Sequence, residues 1–262
     1  MTRKFALSLL ALPLIACAAD AHGQPEPPAP AQSAEKISGA LTLDGFDTIR
    51  LSGCDEATVR PGASFAVTVR GTQRDLALLE AETHGTRLVL DRKKGGCKDG
   101  YDPIAIEIAM PVLREIELSG ATRMAVERFS GARFEAELSG ASELDLTGLE
   151  IGEAELHLSG ASELRATSIM ADTVALDLSG DSEANIAGAA KVVAIGSSGA
   201  SEADTRDLLT PQVTATASGT ASIRAHASRT ATLSASGMSS IRVTGGATCA
   251  VSKGGQAHAA CD

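Results

Sequence analysis

Tryptophan is absent from this 262-residue sequence, tyrosine occurs once (Tyr101) and phenylalanine five times. A core without large rings has to be aliphatic. Much of the apolar stock is alanine, which buries little area per residue, so stability has to come from many thin stacked layers. The same scarcity removes the flat platforms on which sugar rings settle. Catalytic signatures are missing too. There is no G-x-S-x-G elbow, H-E-x-x-H helix or phosphate-binding glycine loop, and His22, His84, His157, His226 and His258 are scattered. No C-x-x-C or nearby histidine pair supports zinc. Positive charge is also short, with 23 basic residues against 33 acidic. That balance argues against nucleic acid and anionic lipid as partners held by bulk electrostatics.

Apolar residues make up 44% of the chain, too many for a disordered one. Arg3 and Lys4 precede an apolar run from Phe5 to Ala16 that is too short to span a bilayer, and residues 1–21 read as a signal peptide. Two cleavage readings stand. Leu14 to Cys17 resembles a lipobox, with lipidation of Cys17 and a membrane anchor through it; Ala19-Asp20-Ala21 matches ordinary cleavage, which would discard Cys17. On either reading the protein is exported: an outer-membrane lipoprotein or periplasmic protein of the cell envelope, alternatively secreted. Residues 22–36 contain four prolines and form a semi-extended linker, with a reach of about 40–50 Å.

Removing Cys17 leaves four cysteines in an oxidising compartment, which allow three pairings. Nearness in sequence favours Cys54 with Cys97 and Cys249 with Cys261.

The strongest signal is a repeat. Ser-Gly pairs end at Gly120, Gly140, Gly160, Gly180, Gly199, Gly219 and Gly237, with steps of 20, 20, 20, 19, 20 and 18 residues. Counted from each glycine, positions −4 and −2 (Ile116 and Leu118 in the first repeat) and +4 and +6 (Met124 and Val126) are apolar except at Ser197 and Thr205, while −5, −3, +3 and +5 are mostly polar. Alternation on both sides of the Ser-Gly means two short strands joined by a corner, where a sharp turn calls for glycine. A further inward column at +9 holds Phe129, Leu149, Ile169, Ala189 and Leu208, and a hydroxyl ladder at +2 runs through Thr122, Ser142, Ser162, Ser182, Ser201 and Ser239. The expected fold is all-β: a single-stranded parallel β-helix, or solenoid, of about 20-residue coils, right-handed by the bias of parallel crossovers. Residues 37–115 read as an irregular β part, with Leu51-Ser52-Gly53 as an early distorted coil; residues 116–246 carry the repeats, and 247–262 leave them as a disulfide-bearing cap.

The strings GFDTIRLSG, FAVTVRG, LSGASEL, LSGDSEA and SSGASEA resemble the bacterial head-GIN family, a domain of unknown function also described as an autotransporter adhesin head. The resemblance covers roughly residues 41–246 and implies a β-helix in an exported or lipid-anchored protein, with no catalytic residues to carry over.

Position +3 stacks Glu143, Glu163, Glu183 and Glu202 on one outer face. Three readings compete for it: a solvated surface, a Ca²⁺ site helped by Asp145 and Asp204, and contact with a basic partner. A second acidic strip at −5 and −3 (Glu115, Glu117, Glu135, Glu137, Glu155, Asp177) is interrupted by His157, and Arg206, Arg224, Arg229 and Arg242 reverse the outward sign late in the chain, a polarity that allows head-to-tail self-association. The loop 91–103 is either a binding loop or a disulfide-tethered excursion. The functional expectation is a non-enzymatic envelope protein without cofactors, presenting a rigid surface to an unknown protein or surface partner for adhesion, assembly or protein interaction. The alternative is a carbohydrate-active β-helix enzyme, a lyase or hydrolase.

Overall fold

The computed structural model describes residues 35–93, 97, 98 and 100–262, so the leader, Cys17 and the linker as far as residue 34 lie outside the described residues. Among the described residues no helix is long and apolar enough to cross a membrane, and the helix Gln73–Leu76 has four residues.

Parallel strands recur along the chain in a register that follows the repeat: Ile116, Ala136, Leu156, Leu176, Ile195, Ala215 and Leu233 stack on one face, and Met124, Leu144, Leu164, Ala184, Ala203, Ile223 and Ile241 on the next. The corner between these faces explains the period. Its glycines have φ between 71° and 109°, the left-handed region. A methyl group on Gly140, Gly160 or Gly180 would also lie 2.6 to 2.7 Å from the carbonyl oxygen of the corner glycine one coil earlier. That carbonyl accepts the amide of the following residue in the next coil, as in Ala141 to Gly120 at 2.7 Å and Ala161 to Gly140 at 2.8 Å. The ladder therefore runs unbroken through the turn.

The hydroxyls at +2 do not bond one another along the axis. Ser142, Ser162, Ser182, Ser201 and Ser239 each donate to the carbonyl three residues earlier in the same coil, at 2.8 to 3.0 Å. Each closes its own turn.

A third side carries the column at +9, with Phe129, Leu149, Ile169 and Leu208 buried. Ala189 departs from it. The coil from Gly180 to Gly199 is one residue short, the register shifts between Ala166 and Ile169, and Gly188 takes the place opposite Ile169 while Ala189 faces out beside Met170. A Cβ on Gly188 would lie 2.0 Å from the Ile169 carbonyl oxygen, so no other residue fits there. Position −6 adds an inward column that the strand pattern extends to, with Phe134, Ala154, Val174, Val193, Val213 and Ala231 buried.

The N-terminal part is more regular than expected, and its coils are stacked out of chain order. Its strands are Lys36–Leu41 (β1), Thr48–Gly53 (β2), Glu56–Pro61 (β3), Ala66–Thr72 (β4), Leu79–His84 (β5), Arg87–Arg92 (β6), Ala105–Met110 (β7), Glu115–Gly120 (β8) and Arg123–Glu127 (β9). The coil β2–β3 is sandwiched between β8–β9 on one side and β6–β7 on the other, all parallel. Beyond β6–β7, antiparallel strands cover the edges: β5 on β6, then β4 on β7 and β1 on β4. Covering the end this way caps the β6–β7 coil and leaves the short strands β1 and β5 as the outermost ones, each paired on one side.

At the other end, residues 248–261 continue the repeat. Thr248–Lys253 and His258–Cys261 pair parallel with the preceding coil, and Gly255 stands in the corner on Gly237. The Cys249–Cys261 disulfide joins positions that continue two core columns, since Cys249 is in register with buried Ala231 and Cys261 with buried Val243. It plugs the core.

The corner makes a direct prediction. Gly160→Ala combines a left-handed backbone with the clash against Gly140, whereas Gly85→Ala has the same sign of φ but open space. Chemical denaturation should show Gly85→Ala losing about 1 kcal/mol and Gly160→Ala at least about 2 kcal/mol more; equal losses would mean that stacking at the corner does not matter.

Candidate functional site

Because strand residues alternate, the residues at −3 and −1 face outward on the side that precedes the corner. They form a groove of about 610 Å³ that crosses the coils from Arg50 to Ser218. One rim is the −3 column: Arg50, Glu117, Glu137, His157 and Asp177, then Gly196 and Thr216. The floor is the serine column of the Ser-Gly pairs, beginning with Ser119, Ser139 and Ser159. Ser139, Ser159, Ser179 and Ser198 each donate to the carbonyl of Leu118, Leu138, Leu158 and Leu178 in the coil before, at 3.2 to 3.4 Å. Their hydrogens point into the sheet, so the oxygens offer the groove lone pairs. Gly196 leaves room for its neighbour: a Cβ there would lie 2.4 Å from Asp177 Oδ1.

The carboxylates of this face are unequally compensated. Arg87 reaches Glu117 at 2.6 Å and Glu115 at 3.2 Å, and Arg50 lies 3.8 Å from Glu117. Arg133 bridges Glu155 at 2.8 Å and Glu135 at 3.6 Å. Among the described residues Glu137 has no ion-pair partner, and Asp177 faces only His157 Nδ1 at 3.6 Å. Burial pushes the Glu117 carboxyl above its usual value, with Arg87 opposing the shift. Glu135, Glu155 and His157 bring their ligand atoms within 4.8 Å of one another. Arg133 already occupies both carboxylates of that group.

The column Glu143, Glu163, Glu183 and Glu202 does stack in register on the other side of the corner. Its charges are interleaved with donors: Arg123 holds Glu143 through two bonds at 2.7 and 2.9 Å, Arg165 pairs with Glu163, Asn185 donates to Glu183 at 2.8 Å, and Arg224 pairs with Glu202. Asp145 and Asp204, the helper positions, sit two residues on, and Asp204 is clamped by Arg206 at 2.6 Å. The late arginines are thus largely matched locally, since Arg242 also pairs with Asp262. Of the four, Arg229 has no ion-pair partner among the described residues.

The structure joins Cys54 to Cys97, which pins the loop after β6 against the β2–β3 corner. Beside it lies a buried network for which the residue pattern gave only an oblique sign. Arg92 lies two residues past Leu90, which is opposite Leu51, and its side chain packs against the corner glycine Gly53; its guanidinium binds Asp55 at 2.6 to 3.1 Å and the Asp102 carbonyl at 2.8 Å. Asp55 also accepts the Ile104 amide at 2.8 Å, and Asp75, held by Thr72 at 2.6 Å, lies 3.8 Å from Arg92. Hydrogen bonding to Asp55 raises the Arg92 pKa against the opposing effect of burial. The legible sign was Asp55 itself, a carboxylate at the +2 position where the later coils carry serine. This network is architectural: it ties Arg92, Asp102 and Ile104 to Asp55 beside the first corner.

The stacked coils define a parallel β-solenoid that carries a polar groove along its axis. Residues 45–247 match the family described as "Putative auto-transporter adhesin, head GIN domain", and the chain belongs to that family. Solved structures share the fold. A putative adhesin from Parabacteroides distasonis ATCC 8503 superposes with a TM-score of 0.78 at 19% identity, over 86% of this chain and 97% of that one. A protein of the same organism described as a putative lipid binding protein gives 0.77 at 16%, over 86% and 96%. A putative adhesin from Parabacteroides merdae ATCC 43184 gives 0.78 at 16%, over 86% and 96%. No curated protein matches the chain.

The interleaved charges carry a pH signature. Hydrogen bonds from Arg206 hold the Asp204 carboxyl below its ordinary value of 3.8. A lowered pKa stabilises the fold fully above the unfolded value and ceases to do so as pH falls through the folded one. Wild type should therefore exceed Asp204→Asn in unfolding free energy at neutral pH, and the gap should close in strong acid. Glu117, with its raised pKa, works in the opposite sense, so Glu117→Gln should gain relative to wild type as pH rises from 4.5. Urea titrations across the acid range read both.

Proposed function

We propose that the protein is a non-catalytic component of the cell envelope, exported by its leader, held by lipid on Cys17, and presenting the groove face of the solenoid to a partner in adhesion or assembly. One observation carries this reading: the groove is a regular, rigid row of repeated groups in place of an asymmetric reaction centre. Its serine hydroxyls donate to main-chain carbonyls, and among the described residues no serine hydroxyl bonds a histidine or a carboxylate. A nucleophile needs a base within that reach. Its carboxylates recur on successive rungs, and several are tied by arginine, whereas glycoside chemistry needs one isolated pair in two different environments. Membership of a family described as adhesin heads supports the role, and the linker of residues 22–36 supplies a tether between an anchored Cys17 and the folded part.

Two experiments test this. Palmitate should label wild type and leave Cys17→Ala unlabelled and released from the membrane fraction; equal labelling would remove the anchor. Cells carrying Glu137→Lys with Asp177→Lys should adhere no better than cells lacking the protein, and adhesion equal to wild type would remove the groove from the role.

A further inference from the structure

The bonding capacity of the groove is weighted towards acceptors. Ser139, Ser159, Ser179 and Ser198 spend their protons on the carbonyls beneath them, so what they turn outward is lone pairs. The rim adds Glu117, Glu137 and Asp177, which only accept, against two donor-bearing side chains, Arg50 and His157. Across the groove and the strip beside it, three arginines (Arg50, Arg87, Arg133) stand against six carboxylates (Glu115, Glu117, Glu135, Glu137, Glu155, Asp177), a net charge of −3. The two least compensated, Glu137 and Asp177, flank His157 on successive rungs. Below them the rim falls away at Gly196 and Thr216, leaving the trough open towards the later coils.

A ligand that best matches this surface carries donors and positive charge and needs few donors in return. An extended peptide meets the last condition poorly, because its carbonyls over the serine floor would face acceptors. A nucleotide or acidic glycan fails the second. We propose that the groove binds a linear polyamine, lying along the solenoid axis with its ammonium groups on the serine oxygens and on Glu137 and Asp177, and its methylenes over the flat floor between rungs. The geometry fits. Serines from Ser119 to Ser218 occupy six consecutive rungs, an axial run of about 24 Å at roughly 4.8 Å per rung, and amines separated by a few methylenes recur at a comparable spacing. The proposal rests on the groove being the binding face and names the ligand that face would take.

Calorimetric titration of spermine into the purified protein in low-salt buffer tests it. Binding is expected, weakening at least about tenfold when the salt rises to about 200 mM. Glu137→Gln with Asp177→Asn should weaken binding at least about tenfold through lost charge-assisted bonds, as should Thr216→Arg, which places a resident cation in the open end of the trough. Glu183→Gln, on the other side of the corner, should bind as wild type does, and all variants should melt like wild type because the altered side chains are exposed. Three results would overturn the proposal: no heat from spermine, equal weakening by Glu183→Gln and by the groove variants, or tighter binding of pentalysine than of spermine. Failure here leaves the adhesion result untouched, since that experiment scores the groove with whatever partner it meets.

Discussion

The structure depends on one close approach. From Gly120 onward, each corner glycine sits in the left-handed region with its missing Cβ replaced by the carbonyl oxygen of the corner glycine of the neighbouring coil. A side chain at these glycines would push the two coils apart and break the amide hydrogen bond that crosses the turn. Because the contact is between like positions of successive coils, it also fixes their relative register, and with a period of two in the strands a slip of one residue would turn the core columns outward. The apolar columns, the serine floor of the groove and the charge strips all inherit their alignment from this contact.

Much of that was legible from residues alone. The spacing of Ser-Gly pairs revealed the coil length, and the alternation around them assigned inside and outside, because both follow from local backbone geometry repeated many times. What escaped was non-local or unrepeated. The insertion of β4 to β7 between the first coil and the second hides the fact that β2 and β8 are neighbours, although Ser52-Gly53 and Ser119-Gly120 lie directly opposite one another. Arg92 reads as part of a charged loop because its role depends on Asp55, 37 residues away. A missing residue before Gly199 signalled a short coil, yet only the backbone shows that the shortfall falls at Gly188 and expels Ala189. The last coil was hidden by a substitution, since Gly254-Gly255 replaces Ser-Gly there and the corner needs only the glycine.

The candidate site was half visible. Its acidic strip and His157 stood out as columns, but which carboxylates stay uncompensated depends on where long arginine side chains reach across rungs. Arg133 serves Glu135 and Glu155 and leaves Glu137 alone, a distinction that sequence position does not encode. Stacked acids on a β-helix look repulsive when read as a column; in the folded chain Arg123 at its head and Arg165 and Arg224 in the adjacent outward column pair with three of the four, which offsets part of the repulsion. The groove is what remains where such pairing is incomplete. Fold and family define the scaffold, and the chemistry of the groove has to define the partner.

Amide hydrogen exchange at the corner reads the central contact most directly. Exposed turns normally exchange fast, whereas amides bonded within a cooperative core open only with it. The amides of Ala141, Ala161, Asp181 and Ala200 donate to the preceding corner glycine at 2.7 to 2.8 Å, and they should exchange as slowly as the strand amides on either side. Exchange at the rate of a free turn, with the flanking strands still protected, would show that the corners do not hold the coils together.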